Sequence, residues 1–140
     1  MALKVERVDT WAAPIEDKHG GLATKLNALT GAGVNLDFVI SRRTEETPGS
    51  GVAFVTPIKG AAQIRVAREV GFVKSESLNT VRVEGPNRPG HGLNIAEALA
   101  AEGISLRGFS GAAIGDKFVA YLALDNAADA AKAVKLLRKM

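Results

Sequence analysis

A chain of 140 residues with 46% hydrophobic and 24% charged residues has the makeup of a folded globular protein, not of a disordered one. It contains no cysteine, which excludes disulfides, thiolate metal sites and a cysteine nucleophile, and its net charge of +3 permits acidic partners without requiring any. No apolar run is long enough to cross a bilayer and charges interrupt the stretch from Met1 to Arg7, so the sequence predicts a cytoplasmic protein with no secretory signal and no membrane attachment.

The first predicted element is an extended segment from about Leu3 to Ile15, carried by Val5, Val8 and Trp11, with Pro14 marking an edge or a bulge. The turn Asp17-Lys18-His19-Gly20-Gly21-Leu22 follows. Leu22, Leu26 and Leu29 then recur at spacings of four and three, which predicts a helix with one buried face, closed by Gly31 and Gly33. Val34 to Ile40 alternates as a strand, Ser41 to Ser50 is a polar hairpin loop, and Gly51 to Val55 returns as its partner. Gly60 to Val70 reads as a second helix, and Phe72-Val73 starts a short closing strand.

The second half repeats this order. Val81 and Val83 mark a strand, Asn87-Arg88-Pro89-Gly90-His91-Gly92-Leu93 a turn, and Ile95 and Leu99 a helix that runs to Gly103. Ile104-Ser105-Leu106 leads into a glycine-rich strand from Arg107 to Gly115, and Phe118 to Leu122 comes back after Gly115-Asp116. Asn126 has the place of a helix N-cap, with Ala130, Ala133, Val134 and Leu137 as the apolar face behind it. Asp17 and Asn87, Lys18 and Arg88, Gly20 and Gly90, Gly33 and Gly103 all stand 70 residues apart, half the length. The chain therefore reads as one module written twice, residues 1–76 and 77–140, each an α+β unit of the ferredoxin-like βαββαβ kind with an antiparallel sheet covered by helices. A closing strand is visible only in the first copy; the segment from Leu3 to Val8 is expected to cross over and supply the second.

The two turns carry the most specific chemistry. A glycine at the mouth of a helix lets the backbone approach a ligand, and the first helical amides have no partners of their own. With the positive helix end, they favour a carboxylate or a phosphate. An amino acid would place its carboxylate on the amides from Gly90 to Leu93 and its ammonium on Asn87 or a strand carbonyl. Against this stands a plainer account in which the glycines only turn the chain, Lys18 and Arg88 are solvated cations, and His19 and His91 face solvent or hydrogen-bond locally.

At these residues the sequence resembles the ACT domain, a small ligand-sensing module attached to enzymes of amino-acid metabolism. Asn87-Arg88-Pro89-Gly90 matches that family's acid-or-amide, base, proline, glycine turn, and Gly33-Val34-Asn35-Leu36 matches its glycine-led strand. His19 departs from the proline in the first copy, and Gly92 stands where a leucine belongs in the second. The resemblance implies two tandem ACT repeats without a catalytic domain, and a ligand lying between modules against the turn and the following helix or strand. It adds Asn35 and Ser105, at the strand starts, to the candidate residues Asp17, Lys18, His19, Gly20, Gly21, Leu22, Asn87, Arg88, Pro89, Gly90, His91, Gly92 and Leu93.

Enzyme signatures fail. Ala112 sits where the last glycine of a nucleophile elbow belongs after Gly108-Phe109-Ser110-Gly111, and Leu36 takes the third glycine position of a dinucleotide fingerprint begun at Gly31. Glu16-Asp17 and Glu45-Glu46 read as solvated loop charges without a catalytic base. Lys132, Lys135, Arg138 and Lys139 make a basic flank on the last helix, but with 5% aromatics no strand offers the stacking surface of an RNA-binding sheet. The sequence thus predicts a non-catalytic regulatory sensor for an amino acid or similar carboxylate, with no cofactor, metal or nucleic acid, forming a homodimer and passing its state to a protein partner. An oligomerisation module with empty sites is the alternative.

Overall fold

The apolar periodicities resolve into twelve elements in the computed structural model, which describes residues 3–140. In chain order they are β1 (Lys4–Val8), β2 (Trp11–Glu16), α1 (Gly21–Gly31), β3 (Phe38–Arg43), β4 (Ser50–Thr56), α2 (Gly60–Glu69), β5 (Val73–Lys74), β6 (Asn79–Pro86), α3 (His91–Ala101), β7 (Leu106–Ile114), β8 (Lys117–Leu124) and α4 (Ala127–Leu137). They form two units, residues 9–75 and residues 3–8 with 76–140.

The 9–75 unit has an antiparallel sheet in the order β3-β4-β2-β5. Strand alternation sends Trp11, Ala13, Ala53 and Val55 to one face, with Trp11 opposite Val55 and Ala13 opposite Ala53. There they pack with Leu29, Ala67 and Phe72 from the helical side. Phe72 and Leu29 are almost fully buried, and burial of each such side chain stabilises by roughly 1.5–3 kcal/mol. Pro14 lies in β2 where β5, which pairs only with Trp11 and Ala12, has already ended, so on that side the strand is an edge.

In the other unit the order is β1-β6-β8-β7. β1 does cross over: it pairs antiparallel with β6 from Lys4 opposite Glu84 to Val8 opposite Thr80, and supplies the closing strand. Val5, Val81, Val83, Leu122 and Leu124 face Ile95, Leu99, Ala133 and Leu137 in the core. The Asn126 side chain accepts from Asp129 N at 2.7 Å and caps α4 as its sequence predicts.

Several boundaries differ from expectation, and one of them is the hairpin loop predicted from Ser41, where β3 instead stays paired with β4 through Arg43. The extended segment predicted from Leu3 to Ile15 is two strands in two sheets, parted at Asp9-Thr10. Both carbonyls at the break are occupied within the 9–75 unit: Thr56 Oγ1 donates to Asp9 O at 2.8 Å and Ser75 N to Thr10 O at 2.8 Å. The strand predicted from Val34 begins only at Phe38, because Val34 belongs to the end of α1. Gly33 takes φ 82°, its N–H donates to Thr30 O, and Val34 N donates to Leu29 O at 3.1 Å, which closes the helix in a Schellman motif with Val34 buried against the core. Gly71-Phe72 and Gly103-Ile104 close α2 and α3 with the same pair of bonds. Among the described residues no helix is long and apolar enough to cross a membrane.

Candidate functional site

Both predicted turns adopt the same backbone. Gly20 has φ 83° and ψ −1°, Gly90 φ 88° and ψ 0°, each just before its helix, in the left-handed region that a side chain would strain. The bonds repeat 70 residues apart: Gly21 N to Lys18 O at 3.1 Å and His91 N to Arg88 O at 3.4 Å, then Thr24 N to Gly20 O at 3.0 Å and Asn94 N to Gly90 O at 2.8 Å. Asp17 N donates to Gly49 O and Asn87 N to Asp116 O, so each turn is tied to the hairpin of its own sheet. What remains open are the amides of Leu22 and Ala23 in one copy and of Gly92 and Leu93 in the other, which have no acceptor one turn back. The arrangement suits a small anion held by adjacent N–H groups.

The side chains around the two turns differ. At the first, Gly21 is required because a Cβ there would lie 2.2 Å from Glu16 O. Glu16 and Asp17, predicted as solvated charges, both have cationic partners: Lys18 Nζ is 2.5 Å from Glu16 and Arg43 Nε 2.9 Å from Asp17. The Lys18 hydrogen bond, with its charge and more weakly that of Lys25, holds the Glu16 carboxyl below the usual range. A concavity of about 490 Å³ opens beside this turn, bordered by Glu16, Lys18, Thr24, Lys25 and Ser50. His19, exposed, borders a shallower one with Asp17, Lys18 and Arg43. Leu22 turns away and packs against the core.

In the second copy Asn87 Nδ2 donates to Gly115 O at 3.5 Å, while Arg88, Pro89 and Leu93 are exposed. His91 departs from the solvent-facing or hydrogen-bonded role predicted for it. Its ring stacks on Phe118 with centroids 5.8 Å apart, and Nε2 is buried without a hydrogen-bond partner. Gly92 leaves ordinary contact distance, 3.7 Å, between a would-be Cβ and Phe109.

Asn35 and Ser105 are exposed, but they follow the C-terminal ends of α1 and α3. An eleven-residue helix is about 16 Å long at 1.5 Å per residue, so each lies a helix length from the turn of its own unit. Sequence reasoning missed Thr24, Lys25, Gly49 and Ser50 beside the first turn. The offset of 70 does not reach the last two, because β4 and β8 start only 67 apart, at Ser50 and Lys117.

No protein-family model matches the chain, and no curated protein matches its sequence. Solved structures do. Protein BT0572 from Bacteroides thetaiotaomicron is 16% identical, with a TM-score of 0.77 over 94% of this chain and 88% of its own. The regulatory subunit of aspartate kinase from Thermus thermophilus, in its ligand-free form, is 14% identical, with a TM-score of 0.66 over 99% of this chain and 96% of its own. The E. coli aspartokinase III complex with lysine and aspartate, a T-state structure, has a TM-score of 0.57 at 14% identity; 99% of this chain covers 32% of that one. At these identities the likeness establishes the fold, which is that of a tandem ACT-domain protein with two ferredoxin-like repeats.

Proposed function

We propose that this chain is a non-catalytic regulatory sensor that binds an amino acid or similar small carboxylate at its strand-turn-helix sites, as a cytoplasmic homodimer. The observation that carries the reading is the duplicated turn: a left-handed glycine, a matching set of backbone bonds and two open helical amides, preserved in both copies although the side chains around them diverge. Support comes from solved neighbours that are regulatory subunits of aspartate kinase, and from one that holds lysine and aspartate. The carboxylate sits on the amides of Gly92 and Leu93 or of Leu22 and Ala23, with Asn87 Oδ1 or the Glu16 carboxylate receiving the ammonium. Asn35 and Ser105, each a helix length from its own turn, do not border the site that turn forms. Binding tighter to one arrangement of modules than to another is what passes the signal to a partner.

A thermal-shift screen against the twenty amino acids tests the reading, because a ligand that binds only the folded state raises the midpoint with concentration. A positive ligand should lose its effect in Gly92→Ala, which adds a methyl beside the open amides at a position with room for it. If the shift persists there but fails in Gly20→Val, the first turn is the site; if it survives both, binding lies elsewhere.

The scaffold reading is favoured by one observation. β7 is an edge strand of nine residues, and from Gly108 to Ile114 it carries no charge and no proline, while Phe109 and Ile114 are 39% and 80% exposed. Long uncharged edges invite pairing with another strand. A stable dimer that answers to no amino acid would select this alternative.

A further inference from the structure

We infer that the groove between α4 and the end of β1 is a docking site for an acidic segment of a partner protein, one that presents carboxylates around a small apolar side chain. The groove, of about 660 Å³, is lined by Arg7, Ala131, Val134, Lys135 and Arg138. Its lining combines the apolar Ala131 and Val134 with three cations, and no carboxylate lines it. Lys132 and Lys139 extend the positive surface along the exposed side of the same helix end. The four cations from Lys132 to Lys139 exceed the net charge of +3, so the rest of the chain is net acidic and the positive field is concentrated here.

The fold keeps this charge unneutralised. Among the described residues none of Arg7, Lys132, Lys135, Arg138 and Lys139 has a carboxylate within 4.0 Å; seven cations elsewhere share that, but three of these five, Arg7, Lys135 and Arg138, line one concavity that no carboxylate borders. The acids nearest in sequence are directed elsewhere. Glu6 alternates to the opposite face of β1 from Val5 and Arg7, and Asp129 is engaged at the N-terminus of α4 by Asn126. A helix C-terminus accounts for a cation or two in the last turn, but not for Arg7, which the β1 crossover brings to the groove from the other end of the chain.

The two arginines are positioned in advance. Arg138 Nε donates to Val5 O at 3.1 Å and Arg7 Nη2 to Asn79 Oδ1 at 3.3 Å, leaving further N–H groups on each guanidinium. A planar fork held this way loses less freedom on binding and matches a carboxylate with two parallel bonds. Nucleic acid fits less well, since the groove has no aromatic side chain for bases to stack on. A membrane surface fits less well too, because the exposed face of α4 carries alanines and lysines without large apolar anchors. This inference does not depend on ligand binding at the turns.

The test uses fluorescence anisotropy with the full chain and a fluorescein-labelled peptide of repeated Glu-Glu-Ala. Binding should occur at low salt and weaken as ionic strength rises. The double variant Arg7→Glu/Lys135→Glu should lose about tenfold or more in affinity, while Lys59→Glu/Arg65→Glu, with the same change in net charge on α2 and its approach, should stay within about twofold. Circular dichroism checks that both fold; if the first does not, Lys135→Gln with Lys132→Gln replaces it and should still lose affinity. Absence of peptide binding, or equal loss in the two charge reversals, overturns the proposal. So does tighter binding of a single-stranded oligonucleotide or of phosphatidylserine vesicles that the groove variant also abolishes.

Discussion

Gly21 and Gly85 show how differently two glycines that both exclude a Cβ respond to substitution. At Gly21 the obstacle is the carbonyl of Glu16 at 2.2 Å, fixed by the strand that carries it; at Gly85 it is Cδ2 of Leu3 at 2.5 Å, the far end of a side chain that can rotate. Gly21→Ala should therefore cost about 2–3 kcal/mol and Gly85→Ala about 1 kcal/mol or less, measured by denaturant unfolding. Equal costs would mean that the turn yields. A second residue-scale expectation concerns acid. The hydrogen bond from Arg82, 3.3 Å from Glu84, holds the Glu84 carboxyl below the usual carboxylate range, with the charges of Arg82 and Lys117 adding to it. A depressed folded value means the stabilisation is complete at neutral pH and fades as pH falls through that value. Glu84→Gln should thus lower the melting temperature at pH 7 and converge with wild type in acid. At this scale the sequence disclosed the left-handed glycines through their spacing, but it could not disclose what faces each one. His91, directly after Asn87-Arg88-Pro89-Gly90, reads from sequence as solvent-facing or hydrogen-bonded because its neighbour Phe118 is 27 residues away.

Helices were legible almost to the residue, because a buried stripe such as Leu22, Leu26 and Leu29 needs no distant partner to be seen. Asn126 was equally plain, and Asn126→Ala should cost about 1 kcal/mol by freeing the Asp129 amide, checked by thermal unfolding. The start of β3 was misread for a physical reason. Gly33-Val34 and Gly103-Ile104 have the content of a strand entrance, yet the apolar residue is buried by the helix cap, and pairing waits until Phe38 and Leu106. An apolar residue after a glycine serves either purpose, and only the hydrogen bonds distinguish them. Edge strands were not legible at all, since an edge is a property of the sheet. β7 emerges as the unguarded one: β5 has two residues, β3 ends in Arg42 and Arg43, and β1 carries Lys4, Glu6 and Arg7. Ala112→Lys, at an exposed β7 position, should turn a dimer into a monomer in size-exclusion chromatography. A dimer that survives is held elsewhere.

At the scale of the molecule, the repeat in the sequence and the units in space do not coincide. Residues 3–8 precede one unit and belong to the other, so the 9–75 unit is inserted between a strand and the sheet it completes. A fragment of residues 77–140 would expose the β6 edge and lose Val5 from its core, and should fail to fold cooperatively. Adding a peptide of residues 3–8 should restore helical signal, whereas a 9–75 fragment keeps all six of its elements and should fold alone.

The same crossover sets an order of events on the ribosome. β1 is made before β6, and the entire 9–75 unit is made in between, so that unit can complete its sheet while β1 still has nothing to pair with. Until residues 79–86 emerge, Val5 and its neighbours are an unpaired apolar strand tethered to a finished module, and the charges of Lys4, Glu6 and Arg7 are what keep it soluble while it waits.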